Sequence, residues 1–245
     1  MNKILLGVAL CAALAARARA DQKLVDEPKV KLTLATYQTG EIIEILAGGK
    51  IKEGPPTTIS IVYLLEGKVR YGDDTIGGGD AAWEAGPSPR KVDASKKKPT
   101  RILTLTVPET SALSASTFVR RAKDATEYKI LGGKGKVTIV IDKDSGGDGS
   151  AYVGRLRLDK GTQVPEHSHD GSAEVLYVVS GKGELTLDGK TIAVEPGTAL
   201  YIPPNTKHSF AASEDIDAVQ FYSPSGPEQR FKAPPAAAPA KPEQK

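Results

Sequence analysis

The segment that decides the fold reads Gly161-Thr-Gln-Val-Pro-Glu-His167-Ser-His169-Asp-Gly-Ser-Ala-Glu174-Val-Leu-Tyr-Val-Val-Ser-Gly181. Its second half, Glu174–Ser180, is a short apolar run that ends at a glycine, which predicts a buried β-strand. Successive side chains of a strand point to opposite faces, so His167 and His169 share one face. By the same rule Glu174 shares a face with Leu176. The segment therefore predicts strands that place two imidazoles and a carboxylate in the interior of a β-structure.

Strands of the same kind continue on both sides of this segment. Val30, Leu32 and Leu34 recur with a period of two, and short apolar runs separated by glycine and proline follow them. A second strand-rich block extends from Val137 to about Tyr222. The chain has 25 glycines, 17 prolines and only 5% aromatic residues, a composition that favours short strands and turns over helices. The pattern predicts an all-β fold, either a sandwich or a barrel.

The two strand-rich blocks are similar to each other. The stretch Ile61–Lys68 aligns with Val175–Lys182, which lies 114 positions later. With a shift of four further residues, Gly79–Trp83 aligns with Gly197–Tyr201. A period of this length indicates duplicated domains rather than a solenoid, although two strand-turn-strand units can also be similar by chance. We therefore expect two tandem β-domains.

All three histidines of the chain, His167, His169 and His208, lie in the second block. His208 follows the turn Pro203-Pro204-Asn205 and begins the next strand, so the three imidazoles can converge with the Glu174 carboxylate inside a barrel. A mixed set of nitrogen and oxygen ligands suits one divalent iron, manganese, nickel, copper or zinc ion better than calcium or magnesium, which prefer oxygen. The alternative is a structural cluster without metal, in which burial of these groups is energetically costly.

The alternation of side chains also selects candidate residues for the wall of the cavity. Gln163 has the same strand parity as His167, so it is expected to line the cavity. Phe210 shares a face with His208 and is expected to pack beneath the site, and Tyr201 is a further candidate. For Tyr201 and Phe210 the alternative is ordinary core packing. No separate general base or other catalytic residue can be named.

Two motifs give the second block its family resemblance. The segment Gly161–Gly181 resembles the first cupin motif at every fixed position, and Gly197-Thr-Ala-Leu-Tyr-Ile-Pro203-Pro-Asn205-Thr-Lys-His208 resembles the second. Asn205 replaces the usual glycine and Ala212 the usual asparagine, but neither change removes a ligand. The resemblance implies a small double-sheet jelly-roll barrel. With the duplication, it implies a two-domain cupin of two tandem barrels. Ser111–Thr126, between the two blocks, lacks the alternation of a strand, so we expect a short helix in this connector.

The first block departs from this pattern because it contains no histidine. In the alignment, Glu53, Pro55 and Ser60 stand at the positions of His167, His169 and Glu174. The position of His208 falls near Arg90. The first block therefore cannot hold the same metal. It is expected to be a degenerate cupin that packs against the second barrel, covers its mouth or binds a ligand of its own.

The chain begins with a segment typical of exported proteins. A basic lead at Lys3 precedes the uncharged apolar run Ile4–Ala16, and Ala18-Arg19-Ala20 supplies the small residues of a cleavage site. This predicts a signal peptide cleaved near Ala20-Asp21 and a periplasmic or secreted protein; the alternative is an N-terminal membrane anchor. The expected regions are a signal peptide at 1–20, a degenerate barrel at 21–110, a connector at 111–136, a metal-binding barrel at 137–226 and a disordered Pro/Ala/Lys-rich tail at 227–245.

Charge and cysteine content narrow the classes of function. The formal net charge of +3 comes from the leader, and the remainder carries 30 basic and 30 acidic residues. A balanced chain argues against binding to nucleic acid or, after signal removal, to a membrane. Cys11 is the single cysteine and lies in the leader, so neither disulfides nor thiol chemistry are expected.

The resemblance implies two classes of function. The first is a metal-dependent enzyme that acts on a small molecule by dioxygenation, decarboxylation or isomerisation. The second is a non-catalytic binding module for metal, a sugar or a small acid. Because cupins frequently pair through their sheet faces, a homodimer is a further implication of the resemblance.

Overall fold

The computed structural model describes residues 31–36, 41–46, 58–85, 92–94, 99–108 and 116–232. Within these ranges the chain is built almost entirely of short β-strands. The predicted signal peptide at 1–20 and residues 233–245 of the predicted tail lie outside them. None of the described helices has the length and apolar character needed to cross a membrane.

The first unit contains a large and a small antiparallel sheet. The large sheet has the order β2-β1-β8-β3-β6-β9, and the small sheet has the order β5-β4-β7. Their strands are β1 (Lys31–Thr36), β2 (Glu41–Leu46), β3 (Thr58–Glu66), β4 (Lys68–Tyr71), β5 (Asp74–Gly77), β6 (Ala81–Ala85), β7 (Val92–Ala94), β8 (Arg101–Pro108) and β9 (Ser116–Arg120).

The second unit repeats this arrangement and ends in a short helix. Its large sheet has the order β10-β11-β12-β19-β14-β17, and its small sheet has the order β13-β18-β15-β16. The elements are β10 (Thr126–Ile130), β11 (Gly135–Ile141), β12 (Tyr152–Leu158), β13 (Gln163–His167), β14 (Ala173–Ser180), β15 (Gly183–Leu187), β16 (Lys190–Val194), β17 (Ala199–Ile202), β18 (His208–Ala212), β19 (Ile216–Ser223) and α1 (Gln229–Lys232).

The pairing of the strands agrees with the repeat predicted from the sequence. Ile61 lies opposite Trp83 in the first large sheet, and Val175, 114 positions after Ile61, lies opposite Tyr201 in the second. The neighbouring strands β1, β8, β3 and β6 have the same order as β12, β19, β14 and β17. The predicted all-β fold of two tandem jelly-roll barrels is confirmed.

The small sheets of the two units differ by one strand. In the second unit β13 pairs with β18 and forms the fourth strand of the small sheet. In the first unit β2 precedes β3 as β13 precedes β14, but β2 pairs with β1 at the edge of the large sheet. The described part of the first unit therefore has no strand at the position of β13, which carries the candidate ligand His167.

The outer faces of the two large sheets pack against each other. Their shared core includes Ile61 and Trp83 from the first unit and Val175 and Phe221 from the second, each no more than 2% exposed. The opposite face of β14 carries Leu176 and Val178, which belong to the interior of the second barrel. The first unit was expected to pack against the second barrel, cover its mouth or bind a ligand of its own. The described residues show the first of these, packing against the second barrel.

The segment predicted as a connector at 111–136 contains sheet strands in its described part. β9 adds to the edge of the first large sheet beside β6, and β10 adds to the edge of the second beside β11. Between them lies only a single 3-10 turn at Ala122–Asp124, so the expectation of a helix is not met at 116–126. The alternation of Thr126, Tyr128 and Ile130, all residues that favour strands, is the signal that the sequence reading missed.

The start of the predicted disordered tail is ordered by hydrogen bonds and ion pairs. Glu228 is completely buried and accepts a hydrogen bond from the backbone N–H of Gly226 at 2.6 Å. Gln229 donates to the Asp142 carboxylate at 3.1 Å, and Lys232 also contacts that carboxylate. The correction is that the second unit extends through α1 to residue 232.

Candidate metal centre

Two facing sheets of the second barrel bring the four candidate ligands together. His167 ends β13 and lies opposite His208, the first residue of β18, in the small sheet. Glu174 is the second residue of β14 and lies opposite Tyr222 of β19 in the large sheet. His169 follows two residues after the end of β13, in the turn that leads to β14.

The four side chains form one compact cluster. One potential ligand atom from each of His167, His169, Glu174 and His208 lies within 4.8 Å of all the others. The ring centroids of His167 and His208 are 4.2 Å apart, and each lies 5.0 Å from that of His169. Oε2 of Glu174 lies 2.8 Å from Nε2 of His169 and 3.3 Å from Nε2 of His208. The convergence predicted from the spacing is therefore present.

Access to the cluster differs among its members. His169, Glu174 and His208 are only 3–4% exposed, whereas His167 is half-buried. Three members are thus shielded from solvent by the barrel. Of the four members, His167 is the one that solvent reaches most readily.

Backbone carbonyls fix the orientation of two of the imidazoles. The Nδ1–H of His167 donates to the carbonyl of Pro165 at 2.8 Å, and the Nδ1–H of His208 donates to that of Thr206 at 2.9 Å. In these tautomers each Nε2 carries a lone pair. Metal-bound histidines in proteins are commonly oriented by this kind of outer hydrogen bond.

The buried Nε2 of His208 makes no hydrogen bond. Its neighbour Glu174 Oε2, at 3.3 Å, is already bonded to His169. A buried polar atom without a hydrogen bond costs free energy, and a metal ion in the centre would give this lone pair a partner. The donor set and its orientation therefore fit a transition-metal ion.

A hydrogen-bond network behind the cluster holds the carboxylate. Gln220 on β19 donates from Nε2 to Oε1 of Glu174 at 2.7 Å and to the hydroxyl of Tyr222 at 2.8 Å. The hydroxyl of Tyr152 contacts Oε1 of Gln220 at 3.5 Å. With Oε1 bonded to Gln220, the carboxylate presents Oε2 to the histidines. The sequence reading missed these three residues; polar side chains in the otherwise apolar strand β19 were the available signal.

The electrostatics of the cluster keep Glu174 ionised. Burial by itself raises the pKa of Glu174, but the hydrogen bond from His169 and the charges of His169 and His208 outweigh it and hold this pKa far below its ordinary value. Burial lowers the pKa of His167, which keeps its imidazole neutral near pH 7. Burial also lowers the pKa of His208, but Glu174 reverses the direction and the net pKa is raised.

The candidate cavity residues lie in three different environments. Phe210 is partly buried among the apolar side chains of the barrel interior, the position expected for packing beneath the site. Tyr201 points to the other face of β17 and packs against the core between the two large sheets, so its assignment to the cavity wall is wrong. The reason is its register opposite Val175, whose side chain also faces that core.

Gln163 is exposed and does not line the cavity. The register of β13 against β18 shifts between Val164 and His167, where a β-bulge adds one residue. Val164 consequently lies opposite the inward-facing Phe210, and Gln163 lies on the other face. Simple alternation from His167 gives the wrong parity because it cannot account for the bulge.

The first unit has other residues at the corresponding positions. Ser60 occupies the position of Glu174 and lies opposite Thr106, with a distance of 3.3 Å between their hydroxyl oxygens. In the first unit Val92 pairs with Tyr71, as His208 pairs with Leu187 in the second unit. Val92 therefore occupies the position of His208. This corrects the alignment near Arg90, which lies outside the described residues, as do Glu53 and Pro55.

Comparison with known proteins agrees with this geometry. Residues 154–223 match the family described as Cupin domain. A Streptomyces cyaneus protein named polyketide synthase CurC is 34% identical over 80 residues, 32% of this chain and 52% of that protein. The oxalate-binding protein of Thermotoga maritima is 26% identical over 105 residues, 41% of this chain and 87% of the relative. This chain thus spans about half the length of the Streptomyces relative.

A solved structure extends the likeness of fold beyond the second barrel. An oxalate decarboxylase variant from Bacillus subtilis superposes with a TM-score of 0.55 over 80% of this chain and 66% of its own, at 13% sequence identity. At this identity the likeness concerns the fold alone. With the two motifs, the three-histidine, one-glutamate cluster and the family match at 154–223, the chain belongs to the cupin superfamily.

Proposed function

We propose that this protein is an exported, metal-dependent cupin enzyme that acts on a small molecule, with His167, His169, Glu174 and His208 as ligands of one divalent transition-metal ion. The observation that carries the proposal is the orientation of the imidazoles by backbone carbonyls, which leaves the buried Nε2 of His208 without a hydrogen bond. When bound, the metal supplies Lewis-acid or redox chemistry of the dioxygenase, decarboxylase or isomerase type.

The chain itself contributes binding, orientation and the exclusion of water. Gln220 holds one oxygen of Glu174, and the barrel shields three of the four ligands from solvent. The nearby hydroxyls of Tyr152 and Tyr222 remain protonated, because burial raises the pKa of each well above its ordinary value. These hydroxyls therefore serve as hydrogen-bonding groups rather than as proton acceptors near pH 7.

A non-catalytic binding module is the second candidate. The Thermotoga relative is named as an oxalate-binding protein, and this chain matches 87% of its length. Among the described residues, no histidine or carboxylate besides the four ligands belongs to the cluster. Both observations favour a barrel that binds a small acid without converting it.

The first experiment is elemental analysis of the mature protein, purified without a histidine tag, beside the double variant His167→Ala/His208→Ala. About one transition-metal ion per wild-type chain and none in the variant is the expected result. Absence of metal from both, even after reconstitution, would refute the metal site. Oxygen uptake with catechols, flavonols and ketoacids, and carbon dioxide release from small dicarboxylates, then separate the enzyme from the binding module, which shows neither.

A further inference from the structure

The short helix α1 carries an arginine to the vicinity of the metal cluster. Nη2 of Arg230 lies 3.5 Å from the hydroxyl of Tyr222. The ring of Tyr222 in turn packs edge-on against the imidazole of His169, with a centroid distance of 4.9 Å. The C-terminal segment thereby brings a guanidinium to the edge of the second barrel.

The contacts on either side of Arg230 fix its position. On one side the carboxylate of Glu228 is completely buried and bonded to the backbone of Gly226. On the other side Lys232 forms ion pairs with Asp142 and with Asp144, the latter at 2.7 Å. The backbone that carries Arg230 is therefore held at both ends, and its side chain is presented from a fixed base.

The Arg230 side chain is exposed and its charge is available to a ligand. Within 116–232 and the other described ranges, no carboxylate lies within ion-pair distance of its guanidinium. His167 is likewise the most exposed member of the metal cluster.

The charges of the site favour an anionic ligand. A divalent ion with one carboxylate and three neutral imidazoles has a net charge of +1, and Arg230 adds a second positive charge. Lys207 and Glu166 form an exposed ion pair near the ligand strands, with 3.6 Å between Nζ and Oε1. Together they add no net charge to the site. A guanidinium matches the planar geometry of a carboxylate.

We propose that Arg230 is an anion-recognition residue, which pairs with a carboxylate of a small organic acid held at the metal centre. This inference rests on the proposed metal-dependent function and adds the class of ligand to it. It also gives α1 a functional role: the helix positions the guanidinium.

The test uses the full mature chain loaded with Co(II), whose visible absorption reports ligands that enter its coordination sphere. Two probes are titrated, oxalate as the small carboxylate and imidazole as a neutral metal ligand. The variants are Arg230→Gln, Arg230→Lys and, as a matched control, Arg157→Gln. Arg157 is a half-exposed arginine of β12 on the opposite face of the large sheet, 3.7 Å from Asp217.

We expect Arg230→Gln to weaken oxalate binding about tenfold, equivalent to about 1.4 kcal/mol, and to leave imidazole binding unchanged. Arg230→Lys should lose less, and Arg157→Gln should bind both probes as the wild type does. Equal oxalate affinity in wild type and Arg230→Gln would overturn the inference while leaving the metal site intact. Loss of both probes or of Co(II) in Arg230→Gln would also overturn it, because Arg230 would then support the metal site. Failure of the wild type to bind Co(II) would instead refute the proposed function.

Discussion

The replacement Gln220→Leu tests whether the network behind the cluster sets the properties of the metal site. Leucine has a similar size but removes the amide that donates to Oε1 of Glu174 at 2.7 Å. The hydroxyl of Tyr222 loses the same donor, which lies at 2.8 Å. The variant thus leaves one oxygen of a buried carboxylate without its hydrogen bond and frees the carboxylate to rotate.

The size of the effect follows from these contacts. A hydrogen bond to a charged group contributes about 1.5–3 kcal/mol, so we expect the free energy of unfolding to fall by about 2 kcal/mol. For a chain of this size that corresponds to a decrease in Tm of about 4–8 °C. Loss of an outer partner of a ligand typically weakens metal binding by about 10- to 100-fold, and we expect the same range here.

The assay is competition for Co(II) or Zn(II) against a chromogenic chelator, together with thermal unfolding of the metal-free protein. Gln163→Leu is the matched control, because Gln163 is exposed and lies on the outer face of β13. The control should bind metal as the wild type does. Unchanged metal affinity in Gln220→Leu, or an equal loss in Gln163→Leu, would refute the reasoning.

Three further predictions concern stability and export. Lys232→Met should cost about 1 kcal/mol of stability at pH 7, measured by chemical unfolding. Burial alone raises the pKa of Asp142, but its hydrogen bonds to Lys232, Ser145 and Gln229 lower it below the ordinary 3.8. The stabilisation by the Asp142 carboxylate is therefore complete above about pH 5 and is lost as the pH falls through the folded-state pKa. Below that pKa the difference in stability between Lys232→Met and wild type should vanish. Trp83→Ala, which empties a site in the core between the two large sheets, should cost about 3–5 kcal/mol and shift a single calorimetric transition; two transitions with only one displaced would contradict a shared core. Mass spectrometry of protein recovered from the periplasm or medium should find Asp21 at the N-terminus, and an uncleaved chain would contradict the signal peptide.

The ligand set was predictable because its information is local in the sequence. The spacing of His167, His169 and Glu174 is contained within one strand-turn-strand segment, and alternation relates each of them to the barrel interior. The same reasoning failed for Gln163, only four residues before His167, because the intervening β-bulge is a feature of pairing with β18. A register shift that depends on a distant strand leaves no trace in simple periodicity.

The supporting residues depend on contacts that are remote in sequence. Gln220 follows Glu174 by 46 positions, and the two meet only because β19 pairs with β14. The sequence predicts a disordered tail that includes the residues of α1, because the segment that follows them is rich in proline, alanine and lysine. Their order comes from Asp142, whose bonds to Gln229 and Lys232 span 87 and 90 positions. Composition alone cannot reveal such long-range partners.

The apolar packing of the two large sheets also bears on self-association. The outer face of the second large sheet, where a second copy of a cupin would stack, is already covered by residues such as Trp83 and Ile61 of the same chain. Because the two faces are covalently linked, their effective concentration is fixed at about the millimolar level and does not change on dilution. The sheet-to-sheet contact will therefore persist at nanomolar protein concentrations, at which a stack of two separate chains with the same contact area can dissociate. This face is therefore covered within the chain itself and does not need a second copy to bury it.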